Sequence, residues 1–140
     1  MSKAFFRLFN RIHVFLYRLT GGRFGGRIQA LQVLLLTTTG RRTGQPRTVP
    51  LGSFSDDGAH IVIASNGGSD RHPGWFVNLK HEPSVQVQIG SETRKAEARV
   101  VHGSERARLW QRLISLAPGY AGYERSTKRE IPVVALTFEA

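Results

Sequence analysis

The chain has no cysteine. Disulfides, thiolate metal sites and a cysteine nucleophile are therefore excluded, and the composition suits a reducing compartment without requiring one. No acidic residue precedes Asp56, whereas nine basic ones do: Lys3, Arg7, Arg11, Arg18, Arg23, Arg27, Arg41, Arg42 and Arg47. The first two-fifths of the molecule is thus purely cationic, and the whole chain carries a formal charge of +10. Such a surface attracts nucleic acid, anionic lipid headgroups, or a phosphorylated or polycarboxylate ligand. Nucleic acid is the poorest fit, because the aromatics do not interleave with the basic residues as a stacking platform needs. No uninterrupted apolar run approaches the roughly 20 residues of a membrane span. Nor is the N-terminus a secretory signal: Arg7, Arg11 and Arg18 break the apolar stretch, and no small-residue cleavage site follows. The five histidines, His13, His60, His72, His81 and His102, show no metal-ligand spacing, so no metal site is expected.

What is present fits one domain with a single core in 140 residues. Residues 3–20 read as an amphipathic helix. Phe5, Leu8, Phe9, Ile12, Phe15, Leu16 and Leu19 recur at three- and four-residue spacing, with Arg7, Arg11 and Arg18 on another face. Two readings stay open: a membrane-surface helix, or a helix whose apolar stripe packs on its own domain. Gly21-Gly22 ends it, and GGRFGGR is a basic connector.

From Gln32 the texture becomes β-like. Strands are expected at Val33–Thr39, Thr48–Phe54, His60–Ser65, Val85–Ile89, Thr93–Val101 and Ile131–Phe138. The first is near-continuously apolar and so buried on both faces. Asp57-Gly58 signals a hairpin. Short helices are expected at Trp75–Lys80 and Ser104–Leu116, the second with Ser104 as N-cap. Six strands without βαβ alternation suggest an antiparallel sheet curled into a small barrel.

Three stretches carry chemistry. TTTGRRTGQPRTVPLG places Arg41, Arg42 and Arg47 with Thr43 in one strand connection, between Gly40 and Gly44. Outward backbone amides, guanidinium groups and a hydroxyl make a phosphate grip; a solvated basic turn is the plainer alternative. SNGGSDRHPGWFVNLKHEP offers Ser65, Asn66 and glycine-lined backbone beside Trp75 and Phe76, which suits a planar ring. Trp75 as a core residue is the alternative. PGYAGYERSTKR sets Tyr120 and Tyr123 three apart, on one face of any helix there, as a lid on a substrate or a cover for the barrel end.

Together these stretches, over about residues 30 to 138, resemble the deazaflavin (F420)-dependent nitroreductase and quinone reductase family of actinobacteria. The resemblance implies a mainly β (α+β) fold: a flavin-reductase-like split β-barrel of about six antiparallel strands. It implies hydride transfer from reduced coenzyme F420 to a quinone or nitro-type acceptor. Arg41, Arg42 and Thr43 would hold the phosphate and acidic tail. Arg47, Thr48, Val49, Pro50, Leu51 and Gly52 would run along the cofactor. Ile63, Ala64, Ser65 and Asn66 would face the ring. Gly74, Trp75, Phe76, Val77 and Asn78 would lie beside the ring and its ribityl chain. Ser65, Tyr120 and Tyr123 would be catalytic, with Ser65 or a nearby backbone amide polarising the acceptor and Tyr123 or Tyr120 bonding the developing quinol oxygen.

Residues 1–27 would be a basic helix and connector that brings a cytoplasmic barrel, residues 28–140, to the inner membrane surface. Two positions depart from the family, Gly52 and Ser126, where some relatives carry aromatics; both are expected to open the pocket. The alternatives are an FMN-binding split-barrel oxidoreductase, to which the arginine turn would serve equally, and a non-catalytic cofactor or lipid carrier. Oligomeric state is left open.

Overall fold

The computed structural model describes residues 3–22, 27–28 and 30–139. Most of the expected glycine-rich connector, residues 23–26, lies outside the described residues. The elements run α1 (Lys3–Thr20), β1 (Arg27–Ile28), β2 (Leu31–Thr39), β3 (Pro46–Asp56), β4 (Ala59–Ile63), α2 (Gly74–His81), β5 (Ser84–Ile89), β6 (Glu92–Val100), α3 (Gly103–Leu116), α4 (Tyr120–Ser126) and β7 (Val133–Phe138). A short 3₁₀ turn covers Asn66–Gly68.

All pairings are antiparallel in the order β1-β2-β3-β4-β7-β6-β5, and β2 also pairs with β5. That last pairing closes β2 to β7 into a six-stranded barrel. The period-two alternation of each strand then divides inside from outside. Leu34, Leu36, Val62, Val87, Ala98 and Leu136 fill the interior, and Trp75, Phe76 and Leu79 of α2 belong to the same cluster. The alternate residues Ile61, Ile63, Val133 and Ala135 form a second core with Leu109, Trp110 and Leu113 of α3. β2 is buried on both faces as expected, because Val33 and Leu35 lie beneath Tyr17 of α1.

Helix α1 packs through an unexpected stripe. Tyr17 is 1% exposed; its hydroxyl donates to Val33 O at 3.0 Å and accepts from Gly90 N at 2.8 Å. Val14 packs on the same cluster. The Phe/Leu stripe, for which packing on the domain was one of the two open readings, does not do the packing: Phe5, Leu8, Phe9, Ile12, Phe15 and Leu19 are each more than half exposed. A helix can bury only the face its tethers turn inward, and here Tyr17 sets that face.

Other departures are local. Ser104 is not the N-cap of α3; the helix begins at Gly103 with no side-chain cap. α3 is instead fastened by Arg108 and Arg112, which both donate to Asp56. These guanidinium groups, Arg108 first, hold the Asp56 carboxyl below its ordinary pKa.

Candidate functional site

The β2–β3 hairpin carries the arginines at one mouth of the barrel. Gly40 N donates to Gln45 O and Gly44 N to Gly40 O, both at 2.8 Å. Gln45 N donates to Thr43 Oγ1. The expected nest of free amides is therefore largely consumed inside the turn, and the amides of Arg42 and Thr43 are the ones no other described group claims. The cationic side chains dominate instead. Arg41, Arg42 and Arg47 are exposed, and among the described residues no carboxylate pairs with any of them.

Asn78 sets the hairpin in place. It is 5% exposed on α2. Its Oδ1 accepts from Arg41 N at 3.2 Å and from Arg41 Nη1 at 2.9 Å, while its Nδ2 donates to Thr38 Oγ1 at 3.1 Å. Asn78 thus joins the second stretch to the first: its oxygen accepts twice from Arg41 and one of its two N–H groups is given to Thr38. Trp75, Phe76 and Ala64 belong to the barrel core, and Ile63 to the second core against α3. Whatever these four offer a ligand, they offer through backbone. Val49 and Leu51 face inward too, against the interior cluster. Thr48 faces out, bonded to Thr37 across the strands at 2.7 Å.

The loop after β4 forms the second wall. Ser65 is 9% exposed, and its hydroxyl has no protein partner among the described residues. Asn66 and Gly67 follow with positive φ, then Gly68. The third wall is α4. Ser126 Oγ donates to Gly68 O at 2.8 Å, and Thr127 Oγ1 to Asp70 Oδ1 at 2.8 Å. Tyr120 and Tyr123 meet edge to face, with ring centroids 5.3 Å apart. Tyr120 leans on the outer core, and burial raises its hydroxyl above the ordinary tyrosine pKa. Tyr123 is 38% exposed and is the tyrosine open to a ligand.

Neither family departure opens space in the way expected. A Cβ on Gly52 would stand 3.0 Å from Leu31 Cδ1, so a core leucine already occupies that side. Ser126 does not leave a gap but ties the lid to Gly68. Two open clefts flank the site. One, of about 480 Å³, lies between Asp70 and residues 125–129. The other, of about 350 Å³, lies between Thr37–Thr39, Gly44 and Pro46 on one side and Ser84–Gln86 with Lys95 on the other.

Sequence reasoning missed two members. Arg18 of α1 brings Nη2 to 3.5 Å from Thr48 Oγ1, over the strand expected to follow the cofactor. Arg129 bonds the loop after β4 at several points. Arg18 had a weak signal in its place on the basic helix face; Arg129 had none, since its partners, three main-chain carbonyls and His72, lie some sixty positions away.

A closed antiparallel barrel plugged by one helix, with an arginine hairpin at that mouth, defines a split-barrel protein of the flavin-reductase-like class. Comparison with known proteins narrows the class. The chain matches the family described as F420H(2)-dependent quinone reductase over residues 9–137, and it belongs to that family. It is 44% identical over 131 residues to an F420H(2)-dependent quinone reductase of Mycobacterium tuberculosis strain H37Rv, covering 91% of this chain and 88% of that one. Among solved structures it resembles an F420-H2 dependent reductase (FDR-A), at 38% identity and TM-score 0.68, over 74% of this chain and 92% of the other. It also resembles a chain solved as a domain-swapped dimer, at 32% identity and TM-score 0.72, over 96% and 99% of the two chains.

Proposed function

We propose that the chain reduces a quinone with reduced coenzyme F420 in the groove walled by the arginine hairpin, the Ser65–Asp70 loop and α4. One observation carries the placement: three arginines with no carboxylate partner among the described residues stand on one hairpin at a barrel mouth, and a buried asparagine tethers that hairpin through Arg41. Their chemistry fits a phosphate and a polycarboxylate tail, because guanidinium binds both through paired N–H donors. The donor group supplies a hydride when bound. The protein supplies position and polarisation. Arg41, Arg42, Thr43 and Arg47 hold the anionic end. Thr48, Pro50 and Gly52 border its course, and the backbone of residues 63–66 and 74–77 lines the ring. The Ser65 hydroxyl is free to donate to the acceptor. Tyr123 donates to the quinone oxygen that gains charge as the hydride is taken up, and one further proton, taken up by the reduced quinone, completes the quinol. Tyr120 stays protonated and braces Tyr123 edge-on.

Replacing Tyr123 with phenylalanine lowers kcat for quinone reduction roughly tenfold to a hundredfold, the effect of removing one donor to developing charge. Tyr120→Phe has a smaller effect. Steady-state oxidation of reduced F420 with menadione measures both. Unchanged turnover in both variants removes the tyrosines from the mechanism.

The exposed face of α1 is best read as a membrane-surface contact. Phe5, Phe9, Ile12, Phe15 and Leu19 lie in solvent beside Arg7, Arg11 and Arg18. An apolar face flanked by arginines is what binding to anionic bilayers requires. No described helix is long and apolar enough to cross a membrane. Flotation with anionic vesicles at low salt recovers the protein on the vesicles. Added salt weakens the association, and Phe9→Glu with Ile12→Glu abolishes it. These substitutions are preferred to deleting the helix, which would also strip Tyr17 from Val33 and Leu35. Failure to float at low salt contradicts this reading, and a dimer broken by the same two substitutions would assign the face to a second copy.

A further inference from the structure

Arg129 lies between α4 and β7, outside the residues given a role above. Four of the five N–H donors of its guanidinium have partners, and all lie on the loop that forms the second wall. Nε donates to Ser69 O at 2.9 Å. Nη2 donates to Ser65 O at 2.9 Å and to Ala64 O at 3.2 Å. Nη1 meets His72 Nδ1 at 3.1 Å. One planar group therefore spans the loop from its exit from β4 to its approach to α2. Three of those partners are main-chain carbonyls in a segment with two positive-φ glycines, which has little regular structure to hold it. A lysine cannot replace this, because one ammonium cannot reach four separated acceptors in a plane.

We propose that Arg129 is a positioning residue of the active site: it clamps the Ala64–His72 loop so that Ser65 and the loop amides are fixed toward the ring, and His72 makes that clamp sensitive to pH. The inference rests on placing the reaction in this groove. His72 accepts from Arg129 only when Nδ1 is unprotonated. It sits against the Phe76 ring, centroids 4.8 Å apart. The charged groups that act on it are Arg129 itself, from the segment before β7, and Lys80, from α2. Asp70 on its own loop is turned to Thr127. Burial first, then the two cations, lower the His72 pKa below its ordinary value. The sign follows: a depressed histidine pKa keeps the clamp whole at neutral pH and loosens it as pH falls below about 6.5, the ordinary histidine value.

The test uses the full chain with Arg129→Lys and His72→Gln. Lysine keeps the charge and loses the fork; glutamine keeps an acceptor and loses the titration. For Arg129→Lys, kcat with menadione falls roughly tenfold to a hundredfold, as misplacement of a reacting geometry by about 1 Å costs. Affinity for reduced F420, held mainly by the hairpin, changes less than threefold. In the unliganded protein, amide hydrogen exchange across residues 65–72 quickens while that of β2 and β5 does not. For His72→Gln, the acid-side fall in kcat and the acid-side quickening of loop exchange both disappear. The inference is overturned if Arg129→Lys keeps wild-type kcat and loop exchange, or if His72→Gln keeps the wild-type acid limb. A wild-type protein that does not oxidise reduced F420 would instead defeat the underlying placement, and the exchange measurement would still report on the clamp.

Discussion

Replacing Arg41 and Arg42 together with alanine weakens binding of reduced F420 about a hundredfold or more and leaves the fold intact. Each charge-assisted hydrogen bond contributes about 1.5–3 kcal/mol in favourable settings. The hairpin is exposed, so solvent screening brings each toward the low end, and two together come to about 3 kcal/mol. The fold survives because neither side chain is buried and neither is paired with a carboxylate among the described residues. Asn78 also keeps its hold on the backbone, since Arg41 N donates to it whatever the side chain. Raising salt weakens wild-type binding, and the double variant loses most of that salt dependence. Arg108→Ala with Arg112→Ala serves as the control: it removes the same two charges beside Asp56, away from the hairpin, and leaves cofactor affinity within about twofold. Fluorescence titration checks all three proteins. If the Arg41 and Arg42 double variant binds as the wild type does, the anionic end of the cofactor lies elsewhere.

The second large effect is expected at Gly68. Its φ of +81° is one that side-chain-bearing residues rarely adopt. A Cβ built there would collide with Ser126 Oγ and stand 3.2 Å from Tyr123 Cα. The hydroxyl could rotate away, but the Tyr123 backbone could not move without shifting α4. Gly68→Ala therefore costs about 2–4 kcal/mol through strain and overpacking, or a fall in Tm of about 10 °C for a chain of this size. The displacement falls on the lid that carries Tyr123, so quinone turnover drops more than F420 affinity. Adding Ser126→Ala recovers only part of the loss, because the backbone strain remains. Thermal unfolding and steady-state kinetics on the two variants separate these parts. A Gly68→Ala protein as stable as the wild type would contradict the close packing of loop and lid.

The barrel was legible in the sequence because its strands declare themselves locally. Val33–Thr39 read as a doubly buried strand and Asp57-Gly58 as a turn; the structure shows unbroken burial over residues 33–36, with Thr39 exposed at the strand end, and positive φ at both turn residues. Strand ends shifted by a few residues where pairing, not composition, sets the limit, as at Pro46, which opposes Thr39. The arginine hairpin was legible as charge. Its support was not, because Asn78 reaches it from 37 positions away and nothing in WFVNLK distinguishes a buried tether from a ligand. Arg129 was invisible for the same reason. Gly52 misled because a missing side chain reads as a gap, whereas here Leu31 stands in the space. The α1 pattern identified a helix correctly and left its packed face open between two readings: amphipathic spacing reports which residues share a face, not which face meets the protein.

The most direct measurement is a titration of the purified protein with reduced F420 and, separately, with FMN, followed by addition of menadione. Tight binding of reduced F420, weak binding of FMN and oxidation of reduced F420 only when menadione is present are the predicted result. Binding of FMN in preference to F420, or F420 binding with no turnover, would contradict the account.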